Sequence, residues 1–188
     1  MKQLIIASNN PGKIREFKQL LSPLGYEAMS QSEAGICISV EETGNTFEEN
    51  ARLKAVAIFK MTGNPTISDD SGLAVDFLSG EPGVYSADYD TAWLLEKLDG
   101  VPIEKRSARF VCCICYMDRH GEVMVTGECE GHIGFECRGS NGFGYDPVFM
   151  IGDKSFSELT GDEKNTISHR GKALRELTAE LKALGALR

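Results

Sequence analysis

The sequence predicts an α/β fold with a long, partly antiparallel central sheet. Three observations carry that prediction. Residues 4–7 (LIIA) form a short continuous apolar run, as in a strand buried on both faces, and a turn-rich stretch and a helix-spaced stretch follow it. A second helical stretch from residue 47 leads into another short strand at 66–68. Residues 109–117 (RFVCCICYM) are rich in β-branched and aromatic side chains, and 122–129 follows them across only 118–121, which predicts a hairpin.

The elements follow in order. After the first strand, 8–13 (SNNPGK) is a loop, and Ile14, Phe17, Leu20, Leu21 and Leu24 keep helical spacing. Residues 36–40 read as a second strand. Thr46 and Glu49 have capping-box spacing, and the helix from Phe47 to Met61 turns Phe47, Ala51, Ala55 and Ile58 inward. Gly63, Asn64 and Pro65 end it. The strand at 66–68 enters the Asp69-Asp70 pair, Ser71-Gly72 suits a tight turn, and 73–75 extends beyond. Residues 79–90 are loop-like, and 91–98 is a short helix capped by Asp90 that buries Trp93, Leu94 and Leu98. After the hairpin, 131–136 reads as a further strand and 139–144 as a glycine-rich loop. Leu174, Leu177, Leu181 and Leu184 mark a C-terminal amphipathic helix with Gly185 near its end.

The 188 residues fit one domain, with 41% hydrophobic and 26% charged residues. The segments before about 100 and after about 165 suggest one lobe, and the middle hairpin, roughly 105–137, a second. A net charge of −8 argues against broad nucleic-acid binding but leaves room for a small polyanion. No stretch approaches the ~20 apolar residues of a membrane span. The N-terminal apolar run is too short for a signal peptide, so a cytoplasmic protein is expected. Among six cysteines, Cys112-x-x-Cys115 and Cys129-x-x-His132 invite a zinc reading. Strand alternation opposes it, because Cys112 and Cys115 then face opposite ways. Buried thiols are the default.

The chemistry concentrates in a few places. Asp69 and Asp70 repel each other unless a cation or a proton is shared, so the pair is a candidate for Mg²⁺ coordination and general-base work. By itself the run also suits a surface turn. The loop Ser8, Asn9, Asn10, Pro11, Gly12, Lys13 opens a helix after a strand, a place that favours anions, although Pro11 at a helix start is equally an ordinary turn. Glu41, Glu42 and Glu49 offer further oxygen ligands or plain exposed charge. Phe143 and Tyr145 among glycines can clasp a flat base or pack in the core. Lys164, His169 and Arg170 offer donors to a carbonyl or phosphate, with Ser168 as a helix cap.

Taken together these segments resemble the non-canonical purine nucleoside triphosphate pyrophosphatases, the inosine triphosphatase or Ham1-like family. The resemblance rests on SNNPGK at 8–13, EETGNTFEENARLKA at 41–55, SDDSGLAVD at 68–76, GEPGVYSADY at 80–89, GFGYDPVF at 142–149 and EKNTISHRGKAL at 163–174. It implies an elongated mixed sheet with flanking helices and a cleft between two lobes, in a homodimer. It also implies Mg²⁺-assisted hydrolysis of dITP, ITP or XTP to the monophosphate and pyrophosphate, which cleanses the nucleotide pool.

Carried onto this sequence, the resemblance makes Asp70 the general base and a Mg²⁺ ligand together with Glu42, with Glu41 as an alternative. Ser8–13, with Lys13, would bind the triphosphate, and Lys54 is a further phosphate candidate. Ser71 would contact substrate. Phe143, Gly144, Tyr145 and Asp146 would form the base loop, and Lys164, His169 and Arg170 would reach phosphate and the 6-keto edge. Asp69 is left a supporting role beside Asp70. Ser8 stands where the family often has Thr, and the segment 89–92 is shorter than in many members. A nucleotide-sensing module without turnover, a zinc-stabilised interaction protein, and a pyrophosphatase for modified pyrimidines or canonical nucleotides are the competing readings.

Overall fold

The computed structural model describes residues 2–184. The chain runs β1 (Lys2–Ile6), α1 (Pro11–Leu21), β2 (Tyr26–Ser30), α2 (Phe47–Thr62), β3 (Thr66–Val75), α3 (Thr91–Lys97), β4 (Ser107–Asp118), β5 (Gly121–Ile133), β6 (Phe149–Ile151), β7 (Lys154–Ser155), α4 (Gly161–Ile167) and α5 (His169–Ala183). The seven strands form one mixed sheet in the order β2-β1-β3-β4-β5-β6-β7. β1 pairs in parallel with β2 and β3, and every pairing from β3 onward is antiparallel. No helix among the described residues is long and apolar enough to cross a membrane.

The helices cover both faces, as their apolar stripes require. On one face, Phe17 and Leu21 of α1 and Leu174, Leu177 and Leu181 of α5 pack on Leu4, Ile6, Ile67, Cys112 and Ile114. On the other, Ala51 and Ala55 of α2 pack on Cys115, and Ile58 on Ile5, Ala7 and Ile36. The far end of the sheet has its own core, centred on Phe110, Phe149 and Phe156. Cys112 and Cys115 thus lie on opposite faces, as alternation requires, and do not converge on one ion. All six cysteines are free thiols.

Four expectations need correction. The strand beside β1 is Tyr26–Ser30, and residues 36–40 have no regular structure. A turn after β2 carries the chain off the sheet edge, with Ile36 N–H bonded to the Gln31 carbonyl and Gln31 Nε2 donating to the Ile38 carbonyl at 2.8 Å. Ser71-Gly72 is not a turn: β3 runs straight through it, in register with Cys112 and Val111. Gly72 is needed because a Cβ there would meet the Gly83 carbonyl oxygen and Ser86 Oγ of the short helix Gly83–Asp88. Residues 131–136 are not a separate strand. β5 continues to Ile133, and the next strand in the sheet is β6. Finally, Thr46 Oγ1 does accept the Glu49 N–H, but Glu49 returns its carboxylate to Asn45 N–H, so the capping box is displaced by one residue. The expected helix starts at Asp90 and Ser168 hold, and each side chain accepts a first-turn N–H. Leu184 is exposed, and Gly185 lies outside the described residues.

Candidate active site

A cleft of about 600 Å³ opens above β3, between the strap 36–46, the helix Gly83–Asp88 and the loop 140–147. All the candidate site residues line it except Pro11, Gly12, Glu41, Glu49 and Asp69. Asp69 and Asp70, neighbours in one strand, point to opposite faces of the sheet. Asp69 meets side chains from α1 and α5, and Asp70 meets side chains from α2.

Asp69 sits in a sealed network of charge. Its Oδ2 accepts from Arg170 Nη2 at 2.7 Å and Nε at 3.3 Å, and from Ser71 Oγ at 3.1 Å, with Lys13 Nζ at 3.3 Å. Burial by itself would push this carboxyl up, but Lys13 and Arg170 outweigh it and hold Asp69 well below the usual carboxylate range. Arg170 is 1% exposed and also donates to Glu16 and to Ser71 Oγ. Lys164 is held the same way, with Nζ 2.7 Å from both Glu16 Oε1 and Asp146 Oδ2. Burial raises Glu16 less than Arg170 and Lys164 lower it, so its carboxyl stays ionised. Arg170 and Lys164 both line the cleft from within this network. Their charges are already met by Asp69, Glu16 and Asp146.

Asp70 is placed differently. Its Oδ2 accepts from Asn50 Nδ2 at 3.2 Å, and its Oδ1 lies 3.5 Å from Lys54 Nζ. Lys54 also binds Glu42 Oε2, at 2.8 Å. Burial pushes the Asp70 carboxyl up and Glu42 adds to the shift, which Lys54, Lys13 and Asn50 only partly offset. Glu42 and Asp70 are hard oxygen donors that already share one positive charge, so they are the residues here that could hold a divalent cation. Glu41 is exposed and turned away from the cleft lining.

The 8–13 loop binds itself more than expected. Asn10 Oδ1 accepts the N–H groups of Gly12 at 2.9 Å and Lys13 at 3.1 Å, and Pro11 has no N–H. The first-turn donors of α1 are thus capped from within, and the loop turns the Lys13 ammonium, the Ser8 hydroxyl and the Asn9 amide to the cleft. Gly12 is needed for another reason: a Cβ there would strike the Phe143 ring. Phe143 lies against the loop with Lys164 Nζ 4.9 Å from its ring centre. Tyr145 is largely buried, donates its hydroxyl to the Ser86 carbonyl at 3.1 Å, and so ties the 140–147 loop to the helix Gly83–Asp88. Asp146 accepts the Phe143 N–H at 2.8 Å and shapes that loop. His169 is buried and stacked on Phe110, with ring centres 4.7 Å apart. Burial, with Arg170 and Lys164 nearby, keeps it neutral well below its ordinary value.

Two residues of this site escaped sequence reasoning, Glu16 and Asn50. Each interrupts the buried stripe of an amphipathic helix, Glu16 beside Phe17 and Asn50 beside Ala51. A polar residue inside an apolar stripe was the available signal.

Comparison with known proteins agrees with this geometry. The model of the Ham1 family matches residues 4–180. The dITP/XTP pyrophosphatase of Bacillus licheniformis is 50% identical, with 96% of this chain and 98% of that protein covered. The Bacillus subtilis protein of the same name is 47% identical over 97% and 98%. Among solved structures, the Staphylococcus aureus Ham1 protein superposes with a TM-score of 0.83 at 41% identity, covering 97% of this chain and 99% of that one. A HAM1 protein from Coxiella burnetii gives 0.84 at 38% identity over 97% and 100%. With the family model and these relatives spanning nearly its whole length, the chain belongs to the Ham1 family.

Proposed function

We propose that this chain hydrolyses the non-canonical purine nucleoside triphosphates dITP, ITP and XTP to the monophosphate and pyrophosphate, by attack of water on the α-phosphorus. The observation that carries the reading is Asp70, a cleft-facing carboxylate with a raised proton affinity beside Lys54 and Glu42. Its relatives' activity points the same way: they are nucleoside triphosphate pyrophosphatases by name.

In this reading Asp70 orients the water and takes its proton. Glu42 and Asp70 would hold Mg²⁺, which when bound neutralises charge on the phosphate oxygens. Lys13, Lys54 and the Ser8 hydroxyl bind the triphosphate. Phe143 stacks on the base, and the loop held by Tyr145 and Asp146 frames it. His169, kept neutral, has one ring N–H to give to a 6-keto oxygen. An amino group there would face a donor, and a buried donor left unpaired can discriminate by about 10⁴-fold. Arg170 and Asp69 support this floor. The cleft lies between two lobes of one domain, one of them built on the β4–β5 hairpin.

A homodimer in the cytoplasm completes the reading. Free buried thiols suit a reducing compartment. The exposed rings of Phe77 and Phe135 offer apolar surface to a second copy.

The test is a panel of dITP, XTP, dGTP and dATP, scored for pyrophosphate and orthophosphate with Mg²⁺ and with a chelator. Pyrophosphate from dITP and XTP, and its loss with the chelator, is the expected result. Orthophosphate as the product, or nucleotide binding without turnover, would overturn it.

A further inference from the structure

Asn50 is 3% exposed on the inner side of α2, and its amide is committed in two directions. Nδ2 donates to Asp70 Oδ2 at 3.2 Å, and Oδ1 accepts the Gly44 N–H at 2.8 Å. Chemistry dictates that orientation, because an ionised carboxylate only accepts and a backbone N–H only donates. Lys54, one turn further along the same helix face, repeats the pattern, with Nζ 3.5 Å from Asp70 Oδ1 and 2.8 Å from Glu42 Oε2. Two side chains of one helix thus hold both oxygens of Asp70 and two points of the strap that carries Glu42. Gly44 fits this grip, since a Cβ there would lie 2.6 Å from Glu49 Cβ and 2.7 Å from Asn50 Oδ1.

We infer that Asn50 is a positioning residue of the hydrolytic site. It fixes Oδ2 of Asp70, leaves Oδ1 as the oxygen presented to the cleft, and ties the Glu42 strap to the same point. This rests on the assignment of Asp70 and Glu42 proposed above. The two halves of the clamp differ in kind. Lys54 lines the cleft, and its flexible stem lets the ammonium leave for a phosphate. Asn50 has a short stem, both ends of its amide engaged, and no charge to compete with a cation. A hydrophobe in its place would leave the Gly44 N–H and Asp70 Oδ2 without partners.

The test separates the two bonds. Asn50→Asp keeps an acceptor for Gly44 but turns an oxygen toward Asp70, whereas Asn50→Ala loses both bonds. Hydrogen exchange at Gly44, thermal melting, and kcat and KM for dITP are measured on the full chain. Asn50→Asp is expected to keep wild-type exchange at Gly44, lose about 10- to 100-fold in kcat, as misplacement of a reacting group does, and hold KM within about threefold. Asn50→Ala loses kcat similarly and exchanges faster at Gly44. Wild-type kcat in Asn50→Asp, or unchanged Gly44 exchange in Asn50→Ala, overturns the assignment. Should Asn50→Asp fail to fold, Asn50→Ser is read by the same split, and wild-type kcat in it has the same force. If the wild type releases no pyrophosphate from dITP, the reading of the site fails, while Gly44 exchange in Asn50→Ala still decides the clamp.

Discussion

The Asp70 corner and the Asp69 network use the same ingredients, carboxylates paired with lysine or arginine, and reach opposite ends. Around Asp69, three cations and three carboxylates meet, all but Lys13 buried, and each charge has a partner within 3.3 Å. Most of that charge is spent inside the network, which frames the floor of the cleft and leaves the Lys13 ammonium at its cleft-side edge. Around Asp70, one lysine serves two carboxylates, one of them on an exposed strap. That corner is under-neutralised and open, so it can take a further cation and a water. The lesson is that residue type does not separate architecture from chemistry. The balance of charge around each aspartate does.

The comparison is broken most sharply by exchanging one carboxylate at a time. Asp70→Asn should cost about 10²- to 10⁴-fold in pyrophosphate release from dITP, the range for loss of a general base, with melting temperature little changed. An Asp70→Asn enzyme with wild-type rates would remove the distinction. Asp69→Asn should act the other way round, on folding first. It leaves Arg170 and Lys13 facing a neutral group in a buried site, a change worth about 3–5 kcal/mol in urea unfolding. Stability equal to the wild type would mean that the network is not the frame proposed here.

Acid titration sharpens the contrast. His169 stays neutral in the fold while the unfolded chain takes up a proton below its ordinary value of 6.5. Stability therefore falls as pH drops below that point, by about 1.4 kcal/mol per unit for this one group. Asp69 has a depressed folded value, so its contribution is present above the ordinary 3.8 and is lost as pH falls further. Urea unfolding from pH 7 to 3 should show the first slope vanish in His169→Gln. An unchanged slope there would assign the acid sensitivity to another group. The smallest effect is expected from Tyr145→Phe, which removes one bond to the Ser86 carbonyl and costs about 1 kcal/mol, with kcat for dITP kept. A large loss of kcat in that variant would place Tyr145 on the ligand side of the loop.

Much of this was legible in the order of residues. Apolar runs and helical spacing placed β1, α1, α2, the hairpin and α5, because burial of a stripe or of a strand face leaves its period in the chain. The caps at Asp90 and Ser168 were visible for the same local reason. The ordered motifs pointed to the cleft residues and to the family. The strand Tyr26–Ser30 was not visible, since its Glu, Ala and Met favour helix and only pairing with β1 makes it a strand. Gly72 looked like a turn because a glycine needed for close approach reads the same as one needed for a bend. The pairing of Arg170 and Lys164 with Glu16 was not visible, because Glu16 is about 150 positions away in the chain.

The sequence by itself thus determined the α/β class, the helices and hairpin, the cleft's residue types and the family, all properties written in local periodicity and contiguous motifs. The resemblance separated the roles of the two adjacent aspartates, but only the tertiary structure decided what surrounds each: Lys13 and Arg170 at Asp69, Asn50 and Lys54 at Asp70. The reason is geometric: alternation along β3 sends them to opposite faces, and what waits on each face comes from helices far away in sequence.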